Sequence, residues 1–234
     1  MQIIEEIFRV YDIRGLLDQV TPEVARKAAQ VLAKRTGAKT VVVGRDMRST
    51  SPELLQAAID GLTAIGVDVV NIGMATTPLY CFAVRNLGVD AGLMITASHN
   101  PPEYNGMKFA DKSGFPISGR DIRTQMEEPF EEHTERGTVK EVSVLEAYLQ
   151  ACAKWPGVET AVQGVKVVAD FGNGMGALTL RPLAARLGIE LIELYPEPDA
   201  RFPNHEANPA KEETLKDIKR EVLKQHADFG VALD

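Results

Sequence analysis

Between Gly92 and Phe109 the chain reads GLMITASHNPPEYNGMKF. Leu93-Met94-Ile95 is apolar at successive positions, the composition of a strand with both faces covered. The character changes at Thr96. Thr96, Ser98, His99 and Asn100 are small or polar, Pro101-Pro102 cannot continue a helix, and Asn105-Gly106 permits a tight turn. The segment predicts a buried strand ending in an irregular loop that displays a hydroxyl, an imidazole and an amide, with Lys108 just past the turn. A loop of this kind needs a rigid scaffold behind it, and loops so held are where chemistry concentrates.

The neighbouring sequence supplies such a scaffold. Thr21 suits a helix N-cap, Pro22 the first helical position and Glu23 the positive end of the dipole. A helix is expected from about Pro22 to Arg35, stopped by Gly37. Thr40–Val43 reads as a strand whose tip carries Gly44-Arg45-Asp46-Met47-Arg48. A helix over Ser51–Ile65, a strand over Val67–Ile72, a helix from Pro78 to Leu87 and the strand into Ile95 follow. Lys108–Ala110 is expected to be short and extended, Ser113-Gly114 a turn, and Asp121–Glu135 helical with a break at Pro129. After Gly137 the pattern resumes: a helix over Val144–Lys154, a strand over Val165–Ala169, the glycine-rich loop Asp170–Gly176, and a helix to about Leu187. Next come a strand over Ile189–Leu194, a long loop to Pro209 holding four prolines, a helix over Lys211–Gln225 and a strand over Phe229–Leu233. Strands alternating with helices argue α/β architecture. The expected fold is two consecutive three-layer α/β domains, 1–139 and 140–234, each a mostly parallel mixed sheet covered by helices on both faces.

Several function classes are disfavoured at once. The formal charge of −7 on 234 residues does not suit a nucleic-acid or acidic-membrane surface. Local basic groups can still hold a small phosphorylated ligand. Cys81 and Cys152 have no CxxC spacing and read as buried, reduced thiols of a cytoplasmic protein. The first residues, MQIIEEIFRVYDIRG, show neither a signal peptide nor a membrane span.

Ser98 is the candidate nucleophile; a loop serine is ordinarily a turn or cap residue, but here His99 and Asn100 flank it. Arg14, Arg45, Arg48 and Lys108 fall at the polar ends of predicted elements, where fixed cations can stabilise a phosphoryl group in transit. Arginine's planar fork suits two phosphate oxygens at once. Lys108 and His99 are the acid–base candidates, and the spacing does not divide the work between them. His205 lies among prolines and reads as ordering its loop. Gly172-x-Gly174-x-x-Ala177, with Glu193 at the end of the next strand, formally matches a dinucleotide fingerprint. A non-catalytic folding or interaction unit is the other alternative.

Thr96-Ala97-Ser98-His99-Asn100-Pro101 followed by Asn105–Phe109 resembles the active-site serine loop of the α-D-phosphohexomutases. Tyr11-Asp12-Ile13-Arg14-Gly15 is similar to that family's N-terminal signature and favours its phosphomannomutase/phosphoglucomutase group over the phosphoglucosamine mutases. Gly44-Arg45-Asp46 with Arg48 resembles a strand-tip segment of the family, with Met47 where a small residue is usual. Arg201–His205 with Asn208-Pro209 resembles its second domain. Gly230–Asp234 resembles the start of its metal loop, which carries three aspartates and then an arginine.

The resemblance implies a phosphoserine at Ser98 and catalytic roles for His99, Lys108 and Arg14. It implies substrate and phosphate contacts from Tyr11, Arg45, Arg48 and Asn100, and Mg²⁺ held by Ser98 and Asp234. The partners implied are a hexose phosphate and a hexose 1,6-bisphosphate, interconverted between 1- and 6-phosphate in carbohydrate metabolism. It also implies that this stretch is about the first half of such an enzyme, that the metal site is incomplete here, and that the chain alone folds without turning over.

Overall fold

The computed structural model describes residues 4–234. Two compact units divide the chain: the first runs to Ala97 and resumes over Glu103–Ser143, and the second comprises Ser98–Pro102 and Val144–Asp234.

Among the described residues the first unit builds a seven-stranded sheet. Its strands are β1 (Ile13–Leu16), β2 (Thr40–Arg45), β3 (Asp68–Met74), β4 (Ala91–Ile95), β5 (Tyr104–Asp111), β6 (Pro116–Ile117) and β7 (Val139–Glu141), in the order β1-β5-β4-β2-β3-β7 with β6 beside β5. Pairing is parallel among β4, β2, β3 and β7 and antiparallel around β5. The helices are α1 (Pro22–Thr36), α2 (Ser51–Ala64), α3 (Thr77–Asn86) and the short α4 (Gly119–Arg123). Thr21 Oγ1 accepts the Val24 N–H, as its N-cap position requires.

Strand alternation explains the layers. Leu93 and Ile95 of β4 join Val41 and Val43 of β2 in one apolar cluster with Leu32 of α1 and Leu54, Ala58 and Leu62 of α2. Gly92 points the other way, where an added Cβ would meet Val84 and Tyr80 of α3. Helices therefore cover both faces, and β4 is buried at every position.

Three local expectations are corrected. Asn105-Gly106 is not a turn; it lies inside β5, eight residues long where a short strand at Lys108–Ala110 was expected. The pair reads as a turn by composition, but its surroundings demand a strand. Asn105 is fully buried and donates to Thr50 Oγ1 at 2.8 Å and Ser51 Oγ at 3.1 Å. A Cβ on Gly106 would lie 2.3 Å from the Ile13 carbonyl oxygen and 2.8 Å from that of Thr96, so the three backbones can meet only at a glycine. The helix expected over Asp121–Glu135 is confined to α4. The acidic residues beyond it bind basic groups on α1 instead, with Glu128 paired to Lys34 and Glu132 to Arg26 at 2.6 Å. Val139–Glu141, in the expected boundary region, is strand, in parallel register with Val69–Asn71.

The second unit holds a three-stranded, wholly parallel sheet among the described residues, β10-β8-β9. Its strands are β8 (Lys166–Asp170), β9 (Glu190–Leu194) and β10 (Phe229–Ala232), and its helices α5 (Leu145–Ala153), α6 (Val158–Ala161), α7 (Ala177–Leu187) and α8 (Lys216–Gln225). Ala169, Leu191 and Val231 pack with Ala177 and Leu180 of α7 on one face. Gly230 turns to the other, where its missing Cβ makes room for Ile218 and Val222 of α8. No helix of the described residues is long and apolar enough to cross a membrane.

Candidate active site

The Ser98 loop leaves the end of β4, and Thr96, still buried, donates its N–H to the Gly106 carbonyl at 3.0 Å. Ser98 then takes φ 53°. A non-glycine residue in the left-handed region costs on the order of 1–3 kcal/mol and persists only where its surroundings impose it. Its Oγ donates to Asp234 Oδ1 at 2.6 Å, and His99 Nδ1 lies 2.8 Å from Oδ2 of the same carboxylate. A carboxylate oxygen only accepts, so His99 donates through Nδ1 in this arrangement. Ser98, His99 and Asn100 are all half-buried. Of the candidates that the sequence offered for nucleophile, base and metal ligand, Ser98, His99 and Asp234 thus come together, two side chains on one carboxylate.

In the first unit two of the candidate catalytic cations meet on a residue that sequence reasoning passed over. Asp12 is 5% exposed; its Oδ2 accepts from Arg14 Nη2 at 2.6 Å and lies 3.6 Å from Lys108 Nζ. Arg14 sits on β1 opposite Gly106, and Lys108 on β5 opposite Met94. Asp12 therefore holds Arg14 and Lys108 together and offsets part of their mutual repulsion. The available signal was its place in the Tyr11–Gly15 run, two residues before Arg14. Tyr11 is 73% exposed. Arg45, at the end of β2, donates from Nη1 to the Asp46 carbonyl at 2.9 Å.

Arg48 departs from expectation. It is 2% exposed; Nη1 donates to the Tyr104 carbonyl at 2.9 Å, and Nε lies 3.3 Å from Asp46 Oδ2. Asp46 Oδ1 accepts the Arg48 N–H at 3.0 Å and the Ser51 hydroxyl at 2.6 Å. A guanidinium enclosed in this way braces the turn between β2 and α2 and is not placed to grip a phosphate.

The dinucleotide alternative also fails on geometry. The amides that a pyrophosphate would need are engaged: Gly172 N–H donates to Asp170 Oδ1 at 2.9 Å, Asn173 N–H to the Tyr195 carbonyl at 3.0 Å, and Gly174 N–H to the Phe171 carbonyl at 2.7 Å. Glu193 is paired with Arg181 at 2.8 Å. The cysteines are free thiols, as expected, but half-buried rather than enclosed. Burial pushes the Cys81 thiol above its ordinary value, and nearby Lys108 acts in the opposite sense.

These two α/β units, one presenting a strained serine at a strand end, define a class that sequence relationships name. The family model for phosphoglucomutase/phosphomannomutase α/β/α domain I matches residues 5–137, and that for domain II matches residues 146–234. The chain belongs to the phosphoglucomutase/phosphomannomutase family. It is 35% identical over 240 residues to the phosphomannomutase/phosphoglucomutase of Pseudomonas aeruginosa, covering 97% of this chain and 50% of that protein. It is 39% identical over 236 residues to a probable phosphoglucosamine mutase of Methanopyrus kandleri, covering 97% of this chain and 51% of that one. A crystal structure of a phosphoglucomutase/phosphomannomutase family protein from Burkholderia thailandensis superposes with TM-score 0.87 at 33% identity, covering 99% of this chain and 53% of the other. The chain spans about half the length of the curated relatives it matches.

Proposed function

We propose that the chain supplies the phosphoserine loop and a metal-site carboxylate of an α-D-phosphohexomutase that interconverts the 1- and 6-phosphates of mannose and glucose. The observation that carries this reading is Ser98, held at φ 53° with its hydroxyl 2.6 Å from Asp234 Oδ1. Its setting is the family's serine loop, and the Pseudomonas relative's name supplies the sugars.

In the forward half-reaction a sugar hydroxyl oxygen attacks the phosphorus of phospho-Ser98. The P–Oγ bond breaks as the new P–O bond forms, giving a hexose 1,6-bisphosphate. The hydroxyl's proton passes to a base, and a proton returns to Oγ. Lys108 shares this proton work, and His99, already tied to Asp234, orients the phosphoserine. Arg14, steadied by Asp12, contributes positive charge toward the transferring group. Tyr11, Arg45 and Asn100 contact substrate, while Arg48 acts through the turn it braces. After the intermediate turns over, its other phosphate returns to Ser98.

The donor set suits a hard cation. Ser98 Oγ and an Asp234 carboxylate oxygen are two oxygens already in contact, and these two residues would hold Mg²⁺, a hard cation that favours oxygen ligands. Bound there, Mg²⁺ would neutralise charge developing on the phosphoryl oxygens. The reading also takes a cytoplasmic setting and a division between the family's first two domains within residues 138–145, between the matched segments.

Incubation of the purified chain with glucose 1,6-bisphosphate, followed by peptide mass spectrometry, tests the assignment. One phosphate on Ser98, absent from Ser98→Ala, is expected. Phosphate on another residue, or equal labelling of Ser98→Ala, would overturn it.

A further inference from the structure

Along the carboxyl ends of β9, β8 and β10 runs a chain of polar side chains that the proposed reaction does not use. Tyr195 directly follows β9, and its hydroxyl donates to Asp217 Oδ2 at 2.7 Å. Asp217 pairs with Arg220 at 2.5 Å, both on α8. The Tyr195 ring stands edge-on to His205, with centroids 5.3 Å apart and planes at 77°. His205 Nε2 lies 3.2 and 3.1 Å from the two oxygens of Asp170, the last residue of β8, and Nδ1 lies 2.9 Å from the Glu206 carbonyl oxygen. A carboxylate oxygen only accepts, so Nε2 carries the hydrogen and donates to Asp170.

Asp170 is 1% exposed. A carboxylate so enclosed is tolerated only with partners of this kind. Its backbone links the chain to the candidate site. Asp170 is in register with Ala232 of β10, and its carbonyl accepts the Leu233 N–H at 2.9 Å. Asp234 is the next residue.

We propose that His205 is a positioning residue for the Asp234 carboxylate: by holding Asp170 at the end of β8, it fixes the turn on which β10 delivers Asp234 to Ser98 and His99. The geometric part stands on the hydrogen bonds; its consequence for metal affinity rests on the reading of Asp234 as a metal-site carboxylate. A residue that merely orders the loop from Tyr195 to Pro209 would act on stability and leave Asp234 where it is.

The test uses the purified 234-residue chain and two variants, His205→Phe and His205→Gln. Three quantities are read: the melting midpoint, the NMR resonances of the His99 ring, and Mn²⁺ affinity from water-proton relaxation. His205→Phe fills the space without a donor and is expected to shift the His99 resonances and weaken Mn²⁺ binding about 10-fold or more, the range seen when partners behind a metal ligand are lost. His205→Gln keeps an N–H toward Asp170 and is expected to move both readouts the same way by a smaller amount. If the Phe variant fails to fold, the Gln variant decides. A lowered midpoint with His99 resonances at their wild-type positions in the folded variants would overturn the proposal. Shifted His99 resonances in variants of a chain that never binds Mn²⁺ would uphold His205 as a positioning residue and refute the metal reading of Asp234.

Discussion

The loops after β4 and β8 are built alike and end differently. Each follows a largely buried strand, β4 of the mixed sheet and β8 of the parallel one, and each carries a non-glycine residue in the left-handed region, Ser98 at φ 53° and Asn173 at φ 59°. In the β8 loop the polar groups turn inward. Asn173, 6% exposed, donates through Nδ2 to the Glu197 carbonyl at 2.9 Å and accepts from Asn204 at 2.8 Å. In the β4 loop Ser98, His99 and Asn100 stay half-open, and the carboxylate that meets two of them, Asp234, has a side chain 45% exposed. The strained backbone is common to both; what separates them is whether the polar atoms are closed off by protein or left where a ligand can reach them. Asparagine adopts the left-handed conformation more readily than most residues. Serine has less reason to do so, and its strain points toward function.

The strongest challenge to this comparison lies behind the open loop. Gly106→Ala would drive a Cβ into the carbonyls of Ile13 and Thr96. We expect destabilisation of about 3 kcal/mol or more, read as a lower urea midpoint. A wild-type midpoint would mean that β5 does not press against both neighbours as described.

Next in size is a paired measurement. Asn173→Ala leaves the Glu197 carbonyl and Asn204 without their partner and puts a Cβ-bearing, non-amide residue at positive φ. A loss of about 2 kcal/mol is expected. Ser98→Ala removes only a half-open hydroxyl and is expected within about 0.5 kcal/mol of wild type, although it removes the proposed phosphorylation site. Equal losses in urea melts would erase the distinction between the loops.

A smaller effect concerns pH. The hydrogen bond to Asp217 pushes the Tyr195 phenol up to about 12, and the same bond holds the Asp217 carboxyl below its ordinary value. The raised phenol contributes stability that is present below its unfolded value of about 10 and lost as pH rises through the folded one. The lowered carboxyl contributes stability present above its unfolded value of about 3.9 and lost as pH falls through the folded one. Tyr195→Phe should therefore cost about 1 kcal/mol between pH 5 and 9, with the difference from wild type narrowing at both extremes. Melting midpoints of both proteins across pH check this; a pH-independent difference would contradict the bond.

The smallest effect carries the opposite sign. Ser98→Gly relieves the positive φ while adding freedom to the unfolded chain, so stability should stay level or rise by up to about 1 kcal/mol. A clear loss by calorimetry would show that the Ser98 hydroxyl is structural, like Asn173.

How much of this was legible in the chain follows from the range of each interaction. Local patterns fixed α1, α2 and α3, β2 and β4, because caps, prolines and apolar runs act within a few residues of themselves. The same locality marked Ser98, His99, Arg14 and Lys108 as candidates through their motifs. Tertiary structure decided what depends on distant partners. Asn105-Gly106 became strand because Thr50, Ser51, Ile13 and Thr96 surround it. Arg48 became a brace because Asp46 and Tyr104 enclose its guanidinium. Asp12 emerged as the holder of Arg14 and Lys108 only when β1 and β5 paired. The approach of Asp234 to Ser98 spans 136 positions of sequence, a separation over which propensity and periodicity carry no information. Hydrophobic pattern sets which faces are buried; only the assembled sheets set which polar groups are then left open.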